Sequence, residues 1–312
     1  MRKNLVVVMD DIAAIKVVKD TTFAMLLEGQ RRGYQMWYLG DTDLYLDGAR
    51  ACARMRSIRV QDDAGDWYQL GETADRPLGD DDLVLMRADP PVDNNYLMAT
   101  YLLELAETAG ARVVNRPQSL RDFNEKLAIA RFPELIPETV VSADATRLRD
   151  FVQGADRAVL KPLDGMGGKS IFLLERDDRN LNVVIETLTD NGQRLAMAQE
   201  YLPAISEGDK RILLVHGRPV DKLLARIPGQ DDFRGNLARG GRGEGRPLGD
   251  ADRAIAEAVG PVLLEYGIEF AGLDVIGDRL TEVNVTSPTC VRELDAQFGI
   301  NISSDLFDAV DP

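Results

Sequence analysis

The sequence predicts an α/β chain in two parts. An open, Rossmann-like parallel-sheet layer occupies residues 1–118, and a mixed α+β part occupies residues 119–312. Three observations carry that reading. The chain opens β-α-β: an apolar run at 5–9, a helix-period stretch through Phe23, Leu26 and Leu27, then a second apolar run at 34–39. That order builds parallel sheets. From Thr139 to about Leu202 the pattern becomes strand, helix, hairpin, helix, strand. The stretch Gly272–Asn284, G-L-D-V-I-G-D-R-L-T-E-V-N, then reads as a hairpin turned at Gly277-Asp278.

Taken in order, residues 5–9 form a buried strand. Asp20 or Thr21 caps the next helix by accepting from its first free N–H groups, and Gly33 ends it. After the strand at 34–39, a hairpin forms at Asp47-Gly48, and alternation continues through Met55, Ile58 and Val60. Leu83 to Met86 is a strand closed by Asp89-Pro-Pro-Val-Asp93. Asp93 caps a helix carrying Tyr96, Thr100, Leu103 and Ala106, Gly110 stops it, and Val113-Val114 begins another strand. The boundary between the two parts lies at Asn115 to Ser119. Ser119 and Asp122, three residues apart, match a variant capping box. They predict a helix that carries Lys126 and is stopped by Pro133 and Pro137. Residues 212–226 form a hairpin around His216-Gly217, and Asp250 opens a helix to about Gly267. Between them, residues 228–249 are nearly devoid of apolar residues. Arg234, Arg239, Arg242 and Arg246 stand there among glycines, which predicts a mobile, anion-binding lid.

Composition narrows the function. A net charge of −15 counts against a nucleic-acid partner, whose affinity rests on neutralised phosphates. The Arg-Gly stretch 234–246 has no aromatic interleaving beyond Phe233, which disfavours an RNA-binding role. Two distant cysteines, Cys52 and Cys290, suit buried thiols in a reducing cytosol rather than a disulfide scaffold. A single histidine, His216, leaves no histidine-rich metal site and argues against a Ser-His-Asp hydrolase. The first apolar run is too short for a signal core or a membrane span. A cytoplasmic protein that meets neither membrane nor nucleic acid is expected.

Two stretches carry chemistry. On the Gly272–Asn284 hairpin, Glu282 and Asn284 leave the same face of one strand and Asp274 lies on the other. Three oxygen donors on one patch suit Mg²⁺, which is commonly held by one or two carboxylates plus substrate phosphates; in an acidic chain, exposed acids would be the plain alternative. The second stretch is Lys161-Pro-Leu-Asp-Gly-Met-Gly-Gly-Lys-Ser170. Glycines at 165, 167 and 168 let backbone N–H groups approach phosphate oxygens. It is no P-loop, because position 163 is leucine and a strand-like run, not a helix, follows. The dinucleotide fingerprint fails on glycine spacing. A glycine-rich hairpin over a triphosphate remains, with a plain flexible hairpin as its alternative.

In order, Lys126, Lys161 with its glycine loop, Gln199-Glu-Tyr-Leu202 and the Asp274, Glu282, Asn284 set resemble the ATP-grasp ligases. The texts Asn115-Arg-Pro-Gln-Ser-Leu-Arg-Asp122, Asp209-Lys-Arg211 and Asn284-Val-Thr-Ser-Pro-Thr-Cys290 resemble the bacterial, prokaryotic-type glutathione synthetases. The resemblance runs from the Val8-Met9-Asp10 strand end to about Arg292. It implies a pre-ATP-grasp substrate-binding domain at 1–118 and an ATP-grasp domain at 119–312. The latter divides into a lid at about 123–200 and a catalytic subdomain at about 201–312. It implies ATP and Mg²⁺, or Mn²⁺, as cofactors, with Glu282 bridging two metals.

The remaining roles are likewise what the resemblance implies. Lys126 and Lys161 hold phosphates, and Gly165, Gly167, Gly168 and Ser170 cover them. Gln199, Tyr201 and Leu202 read the adenine, and Asp209 meets the ribose. Arg211 and Arg226 face the transferring phosphoryl group or a substrate carboxylate. Arg234, Asn236 and Ser287 lie at the substrate. The activity implied is ADP-forming ligation of γ-glutamylcysteine to glycine through an acyl phosphate, by a homotetramer. Another ATP-grasp carboxylate–amine ligase, of the D-alanine or glutamate type, is the alternative. A nucleotide-binding module without catalysis is a further one, which the intact lysine and metal sets count against.

Overall fold

The computed structural model describes residues 2–229, 234–235 and 240–312. β1 (Asn4–Val8), α1 (Thr21–Arg31) and β2 (Gln35–Leu39) form the β-α-β opening. Asp20 caps α1, accepting from the Phe23 N–H at 2.6 Å, and Gly33 takes the left-handed φ of +84° just beyond its end. β3 (Leu44–Asp47) and β4 (Arg50–Val60) make the expected hairpin, and β5 (Tyr68–Pro77) extends it. β6 (Asp82–Met86), α2 (Asn94–Thr108) and β7 (Arg112–Val114) complete the layer, with Asp93 capping α2. The strand order is β3-β4-β2-β1-β6-β7, with β5 on β4. Strands β2, β1, β6 and β7 are parallel as expected. β4 pairs antiparallel with β2, β3 and β5, so the sheet is mixed. β5 carries no buried residue, which is why no apolar pattern announced it. The register shift between Arg56 and Ile58 adds its extra residue to β5, so β4 keeps its alternation: Met55 packs in one apolar cluster and Ile58 in the other.

α3 (Pro117–Asp122) corrects one expectation. Pro117 occupies its first turn, so the helix opens before Ser119. Ser119 Oγ donates to the Tyr266 carbonyl instead of capping. The chain turns extended at Phe123, so Lys126 lies outside any α-helix, at the start of a 3₁₀ turn over Leu127–Arg131. Asn124 Oδ1 fixes that start by accepting from the N–H groups of Lys126 and Leu127 at 3.2 and 2.9 Å.

Next comes a small unit of β8 (Thr139–Ser142), α4 (Ala145–Gly154), β9 (Arg157–Pro162), β10 (Phe172–Glu175), α5 (Leu181–Thr189) and β11 (Ala196–Glu200). Its antiparallel sheet runs β10-β9-β11-β8. It buries its own core, including Leu148, Leu160, Ile185 and Ala198.

β12 (Asp209–Val215), β13 (Arg218–Ile227) and β14 (Arg242–Pro247) follow. Then come α6 (Asp250–Glu265), β15 (Phe270–Ile276) and β16 (Arg279–Asn284). These strands order as β14-β13-β12-β15-β16. β14 corrects the reading of 228–249 as loop throughout. An edge strand is held by backbone pairing and needs no apolar side chains. Gly245 permits it to lie flat, since a Cβ there would sit 2.5 Å from the Phe298 ring. Arg239 and Asn236 lie outside the described residues. α7 (Val291–Phe298) and α8 (Ile302–Val310), which the sequence analysis did not assign, close the chain against α1.

The first sheet and the β12–β16 sheet share their cores. Val6 and Leu273 belong to one apolar cluster, Leu5, Leu213 and Phe307 to another. Asn115 fastens the two sheets together. Its Nδ2 donates to the carbonyls of Phe270 and Val285 at 2.7 and 2.8 Å, and its Oδ1 accepts from the N–H groups of Glu269 and Phe270. No helix among the described residues is long and apolar enough to cross a membrane.

Candidate active site

The register of the third sheet lines up a row of charges. Arg226 on β13 stands opposite Asp209 on β12; Arg211 on β12 stands opposite Asp274 on β15; Asp274 stands opposite Glu282 on β16. Arg211 holds Asp274 with a two-pronged bond, at 2.5 Å from Nε and 2.9 Å from an Nη, and Arg226 bridges Asp274 and Asp209 at 2.9 and 2.5 Å. All are buried or nearly so. Burial alone would raise both carboxyls. For Asp274 the two guanidiniums override it and hold the group well below the carboxylate range. For Asp209 burial wins: Arg226 offsets only part of it, and the Asp274 charge adds to it.

Across a cleft partly open to solvent, the small sheet supplies the opposite wall. Lys161 and Lys126 are each only 5 % exposed. Lys161 Nζ donates to Gln199 Oε1 at 3.1 Å, and Lys126 Nζ to the Gly165 carbonyl at 2.5 Å. Both ammonium groups converge on Glu282, at 3.9 and 3.5 Å. Desolvation lowers the Lys161 pKa, the neighbouring Lys126 adds to that, and Glu282 opposes it. Two buried lysines flanking one carboxylate make a cationic cradle suited to a polyphosphate.

The glycine turn between β9 and β10 roofs this cleft, with Gly167 and Gly168 at φ +60° and +75°. Arg234 donates to the Gly168 carbonyl at 2.6 Å, so the arginine-rich segment touches the roof. Of the expected nucleotide-side residues, Lys126, Lys161, Gly165, Gly167, Gly168, Gln199, Tyr201, Leu202 and Asp209 all line the cleft, and so do Arg211, Arg234, Asp274, Glu282 and Asn284. Ser170 does not, although Lys169 and Ile171 on either side of it do; its φ is +57°.

Arg226 and Ser287 line a second cavity that adjoins the first and reaches the carboxyl ends of β1 and β6. Several of its residues escaped the sequence analysis. Arg87 is buried, donates to Thr22 Oγ1 at 3.1 Å and the Pro288 carbonyl at 3.0 Å, and stacks over Phe270. Asp89, bonded to Ser287, has its carboxyl raised by burial. Lys16, Lys19 and Glu125 also line it. The legible signal was position: Asp10, Arg87 and Asp89 follow directly on apolar strands, and ligands of open α/β sheets bind beyond the strands' carboxyl ends.

Among the described residues, no three His, Cys, Asp or Glu side chains are placed to hold a metal ion. The candidate set is two carboxylates and an amide, all lining the cleft. It fits Mg²⁺ only with ligand phosphates completing the shell.

The chain matches the family model of the prokaryotic glutathione synthetase N-terminal domain over residues 4–121 and that of the prokaryotic glutathione synthetase ATP-grasp domain over residues 125–299. It is 58 % identical to the glutathione synthetase of Xanthomonas campestris pv. campestris over 311 residues, which is 100 % of this chain and 98 % of that protein. With the Yersinia pestis glutathione synthetase it shares 55 % identity over 309 residues, 99 % of this chain and 97 % of the relative. Among solved structures, the D-cycloserine synthetase DcsG superposes with a TM-score of 0.67 at 15 % identity, covering 98 % of this chain and 100 % of that one. The ATP-grasp ligase PsnB complexed with phosphomimetic precursor, Mg and ADP gives 0.61 at 18 % identity, covering 99 % and 98 %. These likenesses bear out the ATP-grasp fold.

Proposed function

The chain belongs to the prokaryotic glutathione synthetase family, and from that premise we propose that it ligates γ-glutamylcysteine to glycine at the expense of ATP. The observation that carries this reading is the meeting of two cavities. The cleft that holds Lys126 and Lys161 opens into a second cavity, both lined by charges of both signs, and Arg211, Asn284, Glu125, Met166 and Gly167 belong to both walls. A phosphoryl donor and a carboxylate acceptor placed in the two cavities would meet there.

In this reading Lys126, Lys161 and the roof N–H groups hold the triphosphate, and Gln199 to Leu202 border the adenine. The cysteinyl carboxylate, seated in the second cavity with Ser287, attacks the γ-phosphorus and ADP departs. The amine of glycine then attacks the acyl carbon, and inorganic phosphate leaves as the C–N bond forms. Arg211 and Arg226 neutralise charge along that path, and enclosure keeps water from the acyl phosphate. Asp274, Glu282 and Asn284 would hold a divalent cation, Mg²⁺ or Mn²⁺, which when bound would offset phosphate charge. We also propose the domain division at 118/119, with 123–200 as the lid, a homotetrameric assembly and a cytoplasmic location, all from the family resemblance.

The test is ADP release with γ-glutamylcysteine and glycine, each omitted in turn, with ¹⁸O in the dipeptide's carboxylate. Both substrates are expected to be needed, and the label is expected in the phosphate. AMP and pyrophosphate as products, or equal turnover with D-alanine or glutamate, would overturn the reading.

A further inference from the structure

Glu125 is the acidic side chain common to the walls of both cavities. Its backbone carbonyl accepts from the Val283 N–H at 2.9 Å. Its Oε1 accepts from the N–H groups of Val285 and Thr286 and from Thr286 Oγ1, at 3.0, 3.2 and 2.8 Å. These donors are all neutral. Among the described residues no Lys, Arg or His lies within ion-pair distance of this carboxylate. Among the described residues Oε2 takes no hydrogen bond, and Glu125 lines both cavities. Burial pushes the carboxyl upward.

A carboxylate in a low-dielectric wall, offset only by the Thr286 bonds and by the charge of Lys126 beyond ion-pair distance, costs stability unless a ligand brings the positive charge. Lysines line the cleft side and Arg211 the junction, while acids and bases both line the second cavity, and none of these cations pairs with Glu125. The charge that Glu125 complements is therefore a cation arriving late, at the point of bond formation. In the reaction proposed above, on which this step rests, the amine substrate enters as an ammonium. We infer that Glu125 Oε2 binds the ammonium of the amine substrate beside the acyl carbon and accepts one of its protons, so that the nitrogen attacks as the neutral amine. The α-ammonium of the γ-glutamyl group has the same chemistry, and the test separates the two.

In Glu125→Gln the amide oxygen still accepts the three bonds from Val285 and Thr286 while the charge is gone. The expected result is a KM for glycine raised at least tenfold, with KM for ATP and for γ-glutamylcysteine changed less than twofold. Hydroxylamine, a neutral amine at neutral pH, should intercept the acyl phosphate and give hydroxamate in the variant as in the parent. A rise in the dipeptide KM instead would assign Glu125 to the γ-glutamyl ammonium and overturn the inference. A joint loss of all KM values and of hydroxamate would reduce Glu125 to an anchor for Val285 and Thr286, also overturning it. Should the glutamine variant not fold, Glu125→Asp keeps the charge but withdraws it, and a glycine-specific KM rise is again required. Absence of hydroxamate from the parent enzyme itself would strike the ligase reading, independently of Glu125.

Discussion

Asp274 and Glu282 are cross-strand neighbours, yet removing each should have different consequences. Asp274 is the buried counter-ion of two buried guanidiniums. Asp274→Asn leaves both under-compensated, and breaking a buried pair in this way costs about 3 kcal/mol. The expected readout is a lower urea midpoint without nucleotide. Glu282 is 20 % exposed, and both of its lysine partners have a second, neutral acceptor. Glu282→Gln is expected to shift stability by less than about 1 kcal/mol, while ligase turnover falls about 100-fold or more. Near-normal turnover at saturating Mg²⁺ would remove Glu282 from the metal set. Equal midpoints for the two variants would show that Arg211 and Arg226 re-pair elsewhere.

At the scale of elements, α8 is held on α1 through Glu28. This carboxylate is bonded by Arg31 at 2.8 and 2.5 Å, Arg32 at 2.6 Å and Asn301 at 3.1 Å, and Arg32 continues to Ser304 and Asp308. Burial alone would raise its pKa, but those bonds outweigh it and hold the group at about 2. Its folded pKa thus lies below the unfolded value of 4.5. The stability it supplies is therefore present above that pH and drains away as pH falls toward 2. Glu28→Gln should unfold more easily near neutrality by about 1–2 kcal/mol, a figure reduced for solvent around the Arg31 end. That gap should shrink between pH 4.5 and pH 3 in urea titrations; a constant gap would mean packing, not charge, holds the helices together. Helix starts such as Asp20 and Asp93 were legible because a cap acts on its own first turn. Ser119 misled because Pro117 two residues earlier had already set the helix phase, freeing its hydroxyl for Tyr266.

Across the whole molecule, the unit from β8 to β11 encloses its own core, whereas the first and third sheets share theirs. The amides of β9 and β11 are expected to exchange through a separate, cheaper opening than those of β1, β6, β12 and β15. ATP with Mg²⁺ should slow exchange in the small unit above all, since a nucleotide would join the two sheets. Native-state hydrogen exchange read by mass spectrometry checks this. Uniform protection from one end to the other, unchanged by nucleotide, would mean a single cooperative body.

Legible in the sequence were the β-α-β opening, the order of strands and helices from 139 to 202, and the Gly272–Asn284 hairpin with its oxygen-bearing side chains. Each rests on spacing within a few residues: apolar periods, capping side chains, glycine turns. It also carried the two lysines and the glycine loop. Only the tertiary structure decided that the sheet is mixed, that β5 and β14 are strands, and that Lys126 stands in a turn rather than on a helix. It alone set Arg87, Asp89 and Glu125 around the second cavity. Pairing between strands far apart in sequence, and the burial of charges whose partners lie more than a hundred residues away, such as Glu125 and Thr286, depend on contacts that no local pattern encodes.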